Sequence, residues 1–116
     1  NYIIVDISQV SNNKVETKLL TNEINDIALN EAYKTTQIVL RRIPAGTFLM
    51  GSPLDETGRF DDEIQHKVTL TRDYFISVFL ITQKQWELIM GYNNSITKHP
   101  LIPVDNMNWE ECTVES

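Results

Sequence analysis

The sequence predicts an α+β fold, and three observations carry the prediction. Strand-length runs rich in β-branched residues recur from Tyr2 to Leu80. One stretch carries both start and stop signals of a helix, and no sustained helical periodicity occurs elsewhere. Tyr2-Ile3-Ile4-Val5-Asp6-Ile7-Ser8 is apolar almost throughout, as a strand covered on both faces would be. Ser11-Asn12-Asn13-Lys14 has turn chemistry, because asparagine tolerates the left-handed conformation of tight turns. Val15 to Leu20 alternates at first and then ends apolar, which suits a second, more exposed strand. Residues 21–34 mix Asn, Glu and Asp with scattered apolar side chains and read as a surface connection holding a short helical turn.

Thr36 to Ile43 is a strand stopped by Pro44. Ala45 and Gly46 turn the chain into a short strand, Thr47 to Met50, which ends at Gly51-Ser52-Pro53, and Phe48 and Met50 are expected in the core. Leu54 to Gln65 is a polar, acidic loop. His66 to Thr71 alternates at period two, placing Val68 and Leu70 on one half-buried face. Asp73 marks a corner before a strand over Tyr74 to Leu80. The helix is predicted over 82–90. Thr82 is its N-cap, Gln85 stands at the capping-box position, Ile81 and Trp86 form a hydrophobic staple, and Gly91 ends it. Trp86, Ile89 and Met90 make its apolar stripe. Past Pro100 and Pro103, Asn108 with Glu111 repeats the cap pattern, and Trp109 is expected to anchor a second helix. That helix is announced with only eight residues to follow Asn108, so the expectation is a chain that stops inside an element.

Composition narrows function. The 116 residues suit one modest core, with sixteen acidic against ten basic side chains and a net charge of −6. Without a basic stripe the chain is a poor nucleic-acid binder, since neutralising phosphate supplies most of that affinity. No apolar run approaches the roughly eighteen residues of a membrane span. The single cysteine, Cys112, rules out an internal disulfide and a thiolate metal cage.

Candidate chemistry is sparse. Asp55, Glu56, Asp61, Asp62 and Glu63 could offer oxygens to a hard cation such as calcium, but the spacing is not that of an EF-hand, and a solvated loop is the simpler reading. Glu63 and His66 would share a metal only on a helix, and here a loop runs into a strand, so His66 is expected at the start of a strand, bonded through one ring nitrogen. His99 has no acidic or thiol neighbour in sequence. Cys112, among Trp109 and Val114, reads as a small buried packing residue rather than a nucleophile. Ser52 lacks a nucleophile elbow, and no glycine-rich phosphate loop is present. No catalytic, cofactor-binding or metal residue is assigned.

From Ile43 onward the order of signals is more specific. Ile43-Pro44-Ala45-Gly46-Thr47-Phe48-Leu49-Met50-Gly51-Ser52 resembles the opening of the formylglycine-generating enzyme, or sulfatase-modifying factor, family. Asp62-Glu63-Ile64-Gln65-His66-Lys67-Val68-Thr69-Leu70, Tyr74-Phe75-Ile76, Ile81-Thr82-Gln83-Lys84-Gln85-Trp86 and Pro103-Val104-Asp105-Asn106-Met107-Asn108-Trp109-Glu110-Glu111-Cys112 follow in that family's order. More loosely, Tyr2 to Ser8 and Tyr33 to Arg42 are similar to the leader of a bacterial branch. The resemblance implies a C-type-lectin-like scaffold, with 1–35 an N-terminal β extension and 36–116 the N-terminal part of the domain. It implies an enzyme that oxidises a sulfatase cysteine to formylglycine with oxygen and a copper ion held by two cysteines. Those cysteines and the family's calcium ligands belong to its C-terminal portion, so this chain is expected to be inactive alone and to hold neither copper nor calcium. Cys112 matches a position that is usually a small packing residue. The partner implied is the remainder of the domain, or another chain completing the core, and a sulfatase-type protein substrate is possible for the parent. The alternative is a noncatalytic ligand- or protein-binding module on the same scaffold. Secretion or a periplasmic location is implied by the resemblance alone.

Overall fold

In the computed structural model, which describes residues 1–113, strand β1 (Tyr2–Asp6) turns into β2 (Glu16–Leu20) as an antiparallel hairpin. The link is a 3-10 turn over Val10–Asn12, closed by Asn13 at φ 54. Asparagine reaches that left-handed region at less cost than branched residues do, so the expected turn forms there. Residues 21–34 then hold a second 3-10 turn, Glu31–Lys34, whose first free amide is met by Asn30: its side chain accepts from Ala32 N at 3.0 Å. Strand β3 (Gln37–Ile43) pairs antiparallel with the other side of β1, and β6 (Tyr74–Ser77) completes the order β2-β1-β3-β6. The expected strand through Leu80 is shorter: it stops at Ser77, and Val78 N still donates to Val39 O at 2.9 Å.

Strands β4 (Gly46–Met50) and β5 (His66–Leu70) form a separate two-stranded antiparallel sheet, with Phe48 opposite Val68 and Met50 opposite His66. The fold is therefore α+β, with six short strands in two sheets and one main helix, α1 (Gln83–Met90), among the described residues. A single turn, α2 (Trp109–Cys112), follows.

Contacts divide the chain into two units, one comprising Asn1–Arg41 and the chain from Ile76 on, the other Arg42–Phe75. The first unit holds the buried apolar residues Tyr2, Ile7 and Val39. It also buries Thr82, Gln83, Gln85 and Ser95, so more than half of the buried residues described there are polar and must be hydrogen-bonded. In the second unit Ser52 is the one buried residue. Phe48 and Met50 are 45% and 49% exposed there, which corrects their placement in the core. The reason is geometric: Phe48, Met50, Val68 and Leu70 share one face of the ribbon, and no second layer within the unit covers it.

Asp73 is the corner the sequence marked. Its carboxylate accepts from Ala45 N at 2.7 Å and from the Arg42 guanidinium, joining both ends of this unit. Those donors hold the carboxyl below its ordinary value, the Ala45 N–H chiefly and Arg42 next. Gly51, at φ 100, lies so close to the facing strand that a Cβ would fall 2.6 Å from Ile64 O. Only glycine fits that approach.

Candidate functional site

The best-formed site is built on α1. The helix starts as the sequence predicts: the Thr82 hydroxyl accepts from Gln85 N at 3.3 Å, and Gln85 Oε1 accepts from Thr82 N at 3.0 Å. Gly91 ends it at φ 81. Thr82 also donates from Oγ1 to Lys34 O at 2.6 Å, and Gln85 Nε2 donates to Tyr33 O and Gln37 O. The side of α1 that is most buried is thus amide, not the Trp86, Ile89 and Met90 stripe, and Ile89 is exposed.

Gln83, 1% exposed, fastens the loop that follows the helix. Its Nε2 donates to Thr97 O at 2.7 Å, while its Oε1 accepts from Asn93 Nδ2 at 2.9 Å and from His99 N at 3.1 Å. Lys98 Nζ reaches Asn93 O, and Asn93 Oδ1 accepts from Ser95 N at 3.0 Å. The result is an open cleft of about 410 Å³ whose wall includes Gln83, Glu87, Tyr92, Asn93, Lys98 and His99. At its rim the Trp86 and Tyr92 rings meet edge to face, 6.1 Å between centroids. Tyr92 OH donates to Glu111 at 2.6 Å, which raises the phenol above its ordinary value and lowers the carboxyl.

Glu111 has a second bond, accepting from Asn108 N at 2.7 Å, and so completes the capping box of α2. Yet Trp109 is 78% exposed and anchors nothing, and Cys112 is exposed rather than buried. Both expectations are corrected. Four residues of helix present one narrow side, and the Tyr92–Glu111 bond uses it, leaving Trp109 and Cys112 to solvent. Val114, taken as a neighbour of Cys112, lies outside the described residues.

The other candidates stay apart. His66 bonds through Nδ1 to Ile64 O at 2.9 Å, as expected of a residue at the start of a strand. Glu63 turns instead to Ser52, whose Oγ donates to Glu63 Oε2, and Arg59 Nη2 donates to Glu63 O at 3.0 Å. Among the described residues no group of three or more His, Cys, Asp or Glu side chains could hold a metal ion. Among the same residues no helix is long and apolar enough to cross a membrane.

The cleft offers an acid, a cation, an imidazole, a phenol and amides, groups that can hydrogen-bond a polar ligand. His99 is the one member the sequence had singled out, and it did so without a partner. Gln83, Asn93 and Lys98 carried no signal, because the carbonyls and amides they meet belong to a loop without periodic pattern. Comparisons with models of known families, with curated proteins and with solved structures found no match.

Proposed function

We propose that this chain is the N-terminal part of a sulfatase-modifying-factor-type domain and that alone it supplies scaffold, not oxidase chemistry. The observation that supports this most is where the residues of the resemblance act. Gly51 permits the close approach to Ile64, Thr82 and Gln85 cap α1, Asn108 and Glu111 cap α2, and Pro103 bridges to Thr82. Each shapes backbone. Formylglycine chemistry would need two thiolates for copper, and the residues here do not fit that ion: the sequence has one cysteine, Cys112, which is exposed, and among the described residues no group of three or more His, Cys, Asp or Glu side chains gathers that could hold a metal. The uncovered Phe48 and Met50 face of the second unit is consistent with a further segment or partner chain supplying a layer.

The test is direct. The 116-residue chain is incubated with copper, oxygen and a Cys-x-Pro-x-Arg peptide, and the peptide is weighed by mass spectrometry. No conversion to formylglycine is expected, and turnover overturns the proposal. Sequencing the gene downstream tests the parentage, because two spaced cysteines there favour an oxidase.

The α1 cleft favours a second reading, a noncatalytic binding module on the same scaffold. Titrating sugars and short peptides while following amide resonances separates the two. Shifts confined to Gln83, Asn93 and His99 support binding there, and their absence at millimolar ligand removes it.

A further inference from the structure

Strand β2 is an edge of the four-stranded sheet, and its free side is unusually self-complementary. The register of β1 with its neighbours sets rows of side chains across the sheet. On one face these rows are Leu40–Ile3–Leu19 and Ile38–Val5–Thr17. The first ends in open solvent at Leu19, 66% exposed, and Val15, just before the strand, is 51% exposed on the same face. On the other face a row ends Asp6–Glu16, two carboxylates directly opposite each other, a destabilising pair. Among the described residues the ion pair to Glu16 is with Lys14 at 3.2 Å, more than half exposed on both sides and therefore weak.

We propose that two copies of this chain associate through β2, antiparallel, about a two-fold axis at Thr17. That register is fixed by the charges. It sets Glu16 opposite Lys18 of the second copy, twice by symmetry, so each Asp6–Glu16 pair gains a cation on its open side. It also sets Val15 opposite Leu19 of the second copy, twice, extending the apolar row that otherwise ends at the edge. Thr17 meets its own mate, a favourable cross-strand pair. Lysine on an edge strand normally repels other strands. Here a register centred on Glu16 would set Glu16 against Glu16 and Lys14 against Lys18, and one centred on Lys18 would set Lys18 against itself, whereas the Thr17 register pairs Lys18 with Glu16, so the charges favour that pairing of the edge with its own copy. The net charge of −6 opposes association at long range, but at about 0.15 M salt that repulsion is confined to roughly 8 Å and the close pairs decide. A strand pair is smaller than a standard interface, so a micromolar dimer is the expectation.

The experiment is sedimentation equilibrium of the chain from about 1 to 200 μM at about 0.15 M salt. A monomer–dimer equilibrium is expected. Lys18→Glu or Glu16→Lys alone should weaken it at least about tenfold, by setting like charges face to face, and the double reversal should restore it to within about threefold. Both side chains are exposed, and circular dichroism confirms that each variant folds. Thr17→Cys in a Cys112→Ser background should cross-link to a dimer under mild oxidation, because opposed Cα atoms in an antiparallel pair lie about 4.5–5.5 Å apart, within disulfide reach. A monomer at every concentration overturns the proposal. So does a dimer indifferent to both single reversals, which would place the contact on another surface, or failure of the Thr17→Cys cross-link.

Discussion

Gln85 Nε2 donates to Gln37 O at 2.8 Å, so that one buried amide on α1 binds the first residue of β3, and it also reaches Tyr33 O at 3.1 Å. With Oε1 on Thr82 N, all of this side chain's principal bonding capacity is used. Gln85→Ala would leave the part-buried carbonyls of Tyr33 and Gln37 and one helix-cap amide without this partner. A loss of about 2–4 kcal/mol is expected, more than a surface capping-box glutamine contributes. Urea unfolding of the variant checks it. A loss below about 1 kcal/mol would mean that water replaces the amide.

Cys112 should react in the folded protein. Its side chain is exposed on α2, so a thiol reagent such as iodoacetamide needs no unfolding step to reach it. Labelling in native buffer is expected at a rate within about threefold of that in urea. Protection by more than about a hundredfold would show that the thiol is covered in solution. Trp109 beside it should likewise be open to acrylamide quenching, and Trp86, only partly exposed, less so.

The difference between these two residues and α1 explains how much was legible from sequence. Thr82, Gln85 and Gly91 act on backbone groups three or four residues away, so their roles follow from spacing alone. The same grammar located Asn108 and Glu111. Trp109 and Cys112 depart from expectation because hydrophobicity expresses a preference for burial but does not supply the covering layer. Phe48 and Met50 fail for the same reason. The cleft was unreadable for a different one. Gln83 acquires its role from Thr97 O and His99 N, far beyond any local periodicity, and a glutamine on a helix reads as solvated until its partners are known.

Stability should fall in acid, with Asp73 responsible for a separable part. Its carboxyl is held below the ordinary value by the Ala45 N–H and then by Arg42, so the folded state prefers the ionised form. The sign follows from linkage: the contribution is complete above the unfolded carboxylate value of about 4 and is lost as pH falls through the lower folded value. Asp6, through Ser8, and Glu111, through Tyr92 and Asn108, act in the same direction. Asp73→Asn should therefore lower the urea midpoint at about pH 7 and flatten the decline below about pH 4. Parallel declines in the variant and the parent would remove Asp73 from the acid response.

Gly51 and Gly91 both sit at positive φ, yet substitution by alanine should cost them differently. At Gly91, φ 81, a Cβ would meet nothing within 4 Å, so only the left-handed penalty of about 1–2 kcal/mol applies. At Gly51, φ 100, the same penalty is joined by overlap with Ile64 O at 2.6 Å and Gln65 Cα at 2.9 Å. Both obstacles are backbone, so relief requires opening the Ser52–Ile64 bridge, where Ser52 N donates to Glu63 O at 3.2 Å. Gly51→Ala is expected to cost about 3–5 kcal/mol and, by loosening the hold of Arg59 on Glu63 O, to open the acidic loop to early tryptic cleavage after Arg59. Thermal unfolding and limited trypsin digestion of the two variants measure the contrast. Equal losses would show that the loop yields freely, and that the close approach at Gly51 carries no stability of its own.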